Sequence, residues 1–415
     1  MSVPAVLHPF AVPAREADDF LNIVRAEGSV LWSEDGSRYL DGTASLWYCA
    51  AGHGRREIVD AVARQMSELD AYHTFGRFTN PPQEELAQQL VELGPVPDAR
   101  ILFTQGGSEG VDSALKLARV AHRLAGEGQR TVILGRHYAY HGVMFGGISA
   151  GGLPANRTSF GPLLPDVHTV DRDSLQAMRD AAAYHGRDRI AAIIAEPVIG
   201  AGGVFPPTEG YLQGLRELCD EIGALLIFDE VINGFGRLGS WFAALHYGVT
   251  PDLLIFAKGV TSGYMPLGGV FVGPRVREAL EADPSFILAH GTTYAGHPSC
   301  CAAGLANLEI LRREDLPARA GEAGRRLRAG LDTLAGRPGV LEVRGEGLAQ
   351  AIALEAPLAA PSFAEALLAR GVVARAIPYA NTVAFSPPLI ITDEEIDEIA
   401  EVAGAALADM AVAAG

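Results

Sequence analysis

Positive charge is what this chain is short of. Lysine and arginine number 33 against 50 aspartates and glutamates, which leaves a net charge of −17. Broad binding to nucleic acid or to an anionic membrane needs clustered cations, so both are excluded as expectations. A small local basic pocket is still allowed. Cysteine is also scarce: Cys49, Cys219, Cys300 and Cys301 are the full set, and they have no metal-ligand spacing. Cys300 and Cys301 are neighbours, a poor disulfide geometry. Buried thiols in a reducing compartment are therefore expected. No apolar run approaches the roughly 18 residues of a membrane helix. The opening MSVPAVLHPFAVPAREADD lacks the basic start and apolar core of a signal peptide, so a cytoplasmic protein is expected. The remainder is ordinary for a folded chain: 415 residues, 48 % hydrophobic, enough for two or more domains.

Between about residues 100 and 273 short apolar runs alternate with helix-like stretches. Ile101-Leu102-Phe103 precedes VDSALKLARVAHRLAG, and Val132-Ile133-Leu134 precedes an aromatic loop. IAAIIAEP, YLQGLRELCDEIG, ALLIFDEV, DLLIFAKG and GGVFVG come next. Apolar runs without alternation suit strands covered on both faces, hence a mostly parallel sheet in a layered α/β domain. After about residue 297 a long helical pattern leads into short strands paired with helices, which predicts a second, smaller domain. Near the start, GSVLWSEDGSRYLDG reads as a hairpin turning at Asp35-Gly36. The expected division is 1–50 as a segment packing with the small domain, 51–296 as the large domain and 297–415 as the small one.

Three of the runs end in ionisable residues: AAIIAE at Glu196, LLIFDE at Asp229 and Glu230, LLIFAK at Lys258. Ligands of parallel α/β sheets sit at the carboxyl ends of the strands, so these charges are expected to converge. A lysine held against an apolar wall is suited to a depressed pKa and to Schiff-base chemistry. An ion pair with Asp229 or Asp252 is the plainer alternative for Lys258. Thr104-Gln105-Gly106-Gly107-Ser108-Glu109-Gly110 follows a strand and opens a helix. Free N–H groups at a helix start and glycines that allow close approach suit a phosphate; a plain glycine-rich turn is the alternative.

Other patterns compete. Gly106 to Gly110 also fits G-x-S-x-G, the nucleophile elbow of α/β hydrolases, with Ser108, then Asp229 or Asp252, then His290 in order. That reading leaves Lys258 and Tyr140 without roles. Gly234 to Gly239 fits G-x-G-x-x-G but lies beyond its strand, with no acidic residue at the later position a dinucleotide needs. His137 and His141 have helical metal-pair spacing, yet the intervening YAY does not favour a helix, and no metal is expected.

Taken together, TQGGSEGVDSALKLAR, Tyr140-His141-Gly142, AEPVIGAGG, FDEVINGFGRLG, PDLLIFAKGVTSGYMPLGG and HGTTYAGHPSCCAAGLANL resemble the class III aminotransferases, in their order and over roughly residues 28 to 400. The nearest likeness is to omega-amino acid and amine:pyruvate transaminases. The resemblance implies pyridoxal 5′-phosphate (PLP) as cofactor, a fold type I architecture with a seven-stranded sheet, and a homodimer with shared sites. It implies that Lys258 binds the cofactor and later moves a proton, and that Asp229 faces the pyridine nitrogen. Tyr140 and Val231 would flank the ring, with Val231 on the Asp229 strand face if the strand continues past Asp229. His141 and Glu196 would line the cofactor site, and Gly107 and Ser108 would hold the phosphate. Thr293, with Thr292, would reach the phosphate of the neighbouring subunit. Arg375 would grip a substrate carboxylate, pairing with Glu196 when none is bound, and Trp47 would line the substrate pocket. The implied reaction is ping-pong transfer from an amine or omega-amino acid to an oxo acid such as pyruvate; an aminomutase or decarboxylase on the same scaffold is the alternative. Gly106, Gly110 and Asn233 depart from the family's usual Ser, Ala and Thr or Cys.

Overall fold

The apolar runs form strands because their β-branched and aromatic residues fill two opposed cores at once. In the computed structural model, which describes residues 4–414, the chain begins with strands β1 (Ile23–Glu27), β2 (Val30–Ser33) and β3 (Arg38–Asp41). The hairpin between β2 and β3 turns through Asp35-Gly36, where Gly36 has φ +86° and Asp35 accepts from the Ser37 N–H at 3.0 Å.

The central sheet contains β4 (Arg100–Thr104), β5 (Val132–Arg136), β6 (Val167–Val170), β7 (Ile190–Ala195), β8 (Leu225–Asp229), β9 (Leu253–Phe256) and β10 (Gly268–Val272). Their spatial order is β4-β10-β9-β8-β7-β5-β6. All pairs are parallel except those of β10, which runs antiparallel to both β4 and β9. Alternate residues of each strand serve opposite faces. Ile193, Leu226, Phe228, Leu254 and Phe256 join one core, and Ile194, Ile227 and Ile255 join the other. Burying one such side chain contributes roughly 1.5–3 kcal/mol. Helix Gly107–Leu124 covers the second face with Val111, Ala114 and Leu117.

Beyond residue 297 helix Pro298–Arg313 packs on helices Arg56–Glu68 and Pro81–Leu93. Strands β11 (Val340–Glu346), β12 (Ala349–Leu354), β13 (Val372–Val373), β14 (Arg375–Ile377) and β15 (Thr382–Phe385) complete the set. A separate antiparallel sheet runs β11-β12-β15-β14. β13 instead pairs in parallel with β3, Val372 opposite Leu40 and Val373 opposite Asp41, so the two ends of the chain share a sheet. All four cysteines are buried and free. Among the described residues no helix is long and apolar enough to cross a membrane.

Candidate active site

β7, β8 and β9 lie side by side, so the residues at their carboxyl ends are gathered in one place. Glu196 follows β7, Asp229 ends β8, and Lys258 stands just beyond β9. All three line one cavity of about 680 Å³, together with Trp47, Ser108, Tyr140, His141 and Arg375. Glu230 does not join them. It is buried and accepts from the Ala243 and Ala244 N–H groups at 2.5 and 2.8 Å, capping the short helix Ala243–Tyr247.

Lys258 adopts φ +50°, a strained conformation for a residue with a side chain. Its ammonium lies 5.4 Å from the centroid of the Trp47 ring. Among the described residues it makes no ion pair, which removes the plainer alternative for it. Asp252 is engaged by Arg216 at 2.8 Å and Arg275 at 3.2 Å, and Asp229 by His141. Burial pulls the Lys258 amine down to about 8, against the opposing charges of Asp229 and Glu196. A useful fraction of it is therefore an uncharged nucleophile near neutral pH.

Asp229 Oδ2 lies 2.8 Å from His141 Nδ1, and its Oδ1 accepts from the Val231 N–H at 3.1 Å. With the carboxylate ionised, His141 donates from Nδ1; its buried Nε2 has no partner. Val231 does line the cavity, but for a different reason from the one expected. The strand ends at Asp229, so strand alternation cannot orient Val231; a tight turn does, closed by the bond to Asp229 and by Gly234 N–H to Glu230 O at 3.0 Å.

At the far wall, helix Gly107–Leu124 starts after Gly106 with no side-chain cap, leaving its first N–H groups open to the cavity. A Cβ on Gly107 would come within 2.8 Å of Val231, and one on Gly142, at φ +90°, within 2.8 Å of the Ser108 Cα. Ser108 Oγ accepts from the Val143 N–H at 3.2 Å. This is no hydrolase elbow: His290 meets Ser113, not Ser108, and Asp229 meets His141. His137 is exposed.

The expected Glu196–Arg375 ion pair does not form. Glu196 is buried, and its two oxygens accept from the Tyr140 and Gly200 N–H groups at 2.8 and 2.9 Å. Burial raises the pKa of its carboxyl and that of the Tyr140 phenol. Arg375 is exposed on β14 at the cavity rim. Thr292 lies outside the cavity lining but accepts from Gln105, which belongs to it, at 2.9 Å. Thr293 is exposed and lies outside the lining of this cavity. Two features went unread in the sequence: Gln105 as a lining residue, and Asn233, whose amide both accepts from Val198 N–H at 2.6 Å and donates to Val198 O at 3.0 Å.

The sheet order and a lysine without a counter-ion beside an aspartate define an α/β enzyme with its site at the strand ends. Residues 12–407 match the family model described as aminotransferase class-III. The chain belongs to that family and is an aminotransferase. It is 39 % identical over 403 residues to the omega-aminotransferase of Caulobacter vibrioides, covering 91 % of each chain. It is 37 % identical to the beta-alanine–pyruvate aminotransferase of Pseudomonas aeruginosa, covering 96 % of this chain and 94 % of that one. Among solved structures, an amine transaminase from an uncultivated Pseudomonas species in its PLP-bound form superposes with a TM-score of 0.94 at 37 % identity, covering 98 % of this chain and 99 % of that one.

Proposed function

We propose that this aminotransferase uses PLP, in the cytoplasm, to move an amino group from an amine or omega-amino acid to an oxo acid such as pyruvate, in two half-reactions at one site. The observation that carries the reading is Lys258: an amine near pKa 8, with no counter-ion among the described residues, lining the same cavity as Asp229. The residues fit the cofactor. Glycine at 107 and 142 lets Val231 and Ser108 pack closely against the turn, and Ser108 with the uncapped helix start lines the cavity, as an anionic phosphate requires. When bound, the cofactor supplies an aldehyde and a ring that draws electrons from the carbon losing its proton.

The chain's own groups do the rest. Lys258 would hold the cofactor through its amine, and as a free amine would serve as the base that moves the substrate's proton. Asp229, kept in place by His141 and the Val231 N–H, would offer its negative charge to the ring nitrogen. Tyr140 and Val231 would flank the ring, and Trp47 would line the substrate's part of the cavity. Arg375 receives the carboxylate of the oxo acid. Relatives described as acting with pyruvate and on beta-alanine support the donor and acceptor classes.

A homodimer is part of the reading. Val143, Met144, Phe145, Ile287 and Tyr294 are large, apolar and exposed, 40–82 % each. They lie on two segments docked to the helix that starts at Gly107. Lys258→Ala is the test. Purified wild type with added PLP should absorb near the border of the visible and ultraviolet, and an amine donor should bleach that band while a carbonyl product is released. The variant should turn over at least about a hundredfold more slowly, the low end for a lost proton-transfer group. A wild type without the band, or a variant at full rate, ends the reading.

A further inference from the structure

His290, suggested by the sequence as a hydrolase histidine, is built into the molecule in another way. Its ring bridges two residues one turn apart on helix Gly107–Leu124. Nδ1 lies 3.0 Å from Lys116 Nζ and Nε2 lies 2.9 Å from Ser113 Oγ. An ammonium can only donate, so Nδ1 accepts and Nε2 carries the proton that goes to Ser113. The imidazole is thereby held neutral in one tautomer, with one orientation. Ser113 is buried and Lys116 exposed, so the ring stands at the helix surface.

The residues just after His290 inherit that fixed position. Thr292 accepts from Gln105, immediately before the glycine turn. The far end of the segment is tied down by Thr74 Oγ1 to Ala295 O and Asn80 Nδ2 to Gly296 O, each at 2.9 Å. Between these anchors only Thr293 and Tyr294 project, both exposed. The same helix fixes the opposite wall through Asp112, which accepts from the Gly147 N–H at 3.0 Å and so holds the segment after Tyr140-His141-Gly142. One helix thus begins at the candidate phosphate turn and carries, within its next turns, the groups that dock both neighbouring segments.

We propose that His290 is a positioning residue for cofactor binding across the subunit boundary: pinned between Ser113 and Lys116, it sets the 291–294 segment so that Thr293 is presented to the cofactor phosphate of a second copy of this chain. The inference rests on the PLP reading above, and its test separates the two. His290→Leu removes both bonds at similar volume. His290→Gln keeps an amide donor for Ser113 and a carbonyl acceptor for Lys116. Ser113→Ala removes one bond with little change of shape, and stands in should His290→Leu not fold.

The experiment titrates cofactor-stripped dimer with PLP and, separately, with pyridoxal, which has the ring and aldehyde but no phosphate. His290→Leu should weaken PLP binding roughly tenfold, the loss that one misplaced hydrogen-bond donor to a charged group brings, and leave pyridoxal within about twofold of wild type. His290→Gln should restore PLP binding, and Ser113→Ala should weaken it in the same direction. The proposal is overturned if PLP binding is unchanged in His290→Leu and Ser113→Ala, if PLP and pyridoxal weaken equally, or if Gln fails to rescue. A wild type that binds pyridoxal but gains nothing from the phosphate also overturns it while leaving Lys258 chemistry standing; one that binds neither overturns the PLP reading as well.

Discussion

A half-buried lysine with no counter-ion among the described residues is a cost to the folded chain, and Lys258 bears it at a strained backbone position in the cavity wall. The charge that desolvation opposes is the same one the chemistry needs to shed, so the destabilising effect and the useful one have a single origin. Its pH dependence has a definite direction. The amine titrates near 8 in the native protein and at its ordinary 10.5 when unfolded. Between those values the unfolded chain binds the extra proton, so stability rises with pH across that window and is lowest, and flat, below it. Lys258→Met removes the effect at nearly constant size. The cofactor-stripped variant should therefore melt above stripped wild type at pH 7, and the gap should close as pH approaches 10. Melting curves of the two proteins over that range check it; a gap that is absent at pH 7, or that widens with pH, contradicts a depressed lysine.

The strands that carry the site were legible because their environment is uniform. Each of β7, β8 and β9 is apolar on both faces and ends where the sheet ends, so a charge after the run marks the strand terminus. Edges and contacts distant in sequence were not legible in this way. β6, Val-His-Thr-Val, is half-buried at the sheet margin and has no apolar run to announce it. Val231 was expected on a strand face and reached the cavity by a turn, because local periodicity does not say where a strand stops. The pairing of His141 with Asp229 spans 88 positions and has no sequence signal beyond the presence of both residues. Asn233 is the sharpest case. In sequence it is an unexplained departure, but in the fold its amide closes both the donor and the acceptor of Val198, two residues past Glu196. Asn233→Ala would leave two buried backbone groups unpaired, at about 1–3 kcal/mol each. A loss of about 2–4 kcal/mol is expected in urea unfolding, with weaker substrate discrimination because the Glu196 loop loosens. A loss under about 0.5 kcal/mol would mean that the clamp is idle.

At the scale of the whole molecule, charge and association pull in opposite directions. Each copy carries −17, so two copies brought together repel unless apolar burial outweighs the field between them. In the proposed dimer the exposed Val143, Met144, Phe145, Ile287 and Tyr294 would supply such burial; they sit on the two segments that helix Gly107–Leu124 docks beside the cavity. Association through them would bring each copy's Thr293 toward the other's site, which makes cofactor retention depend on dimerisation. The consequence is measurable. Raising ionic strength from about 0.01 to 0.1 M shortens the screening length from roughly 30 to 10 Å. It should therefore tighten the dimer, because long-range repulsion is screened while apolar contacts are not. Sedimentation at matched protein concentrations should show the dimer fraction rising with salt, and PLP retention on dilution should rise with it. A dimer that loosens with salt would mean that ion pairs across the interface, rather than these apolar residues, hold the copies together, and retention that ignores the dimer fraction would mean that each chain completes its phosphate site alone.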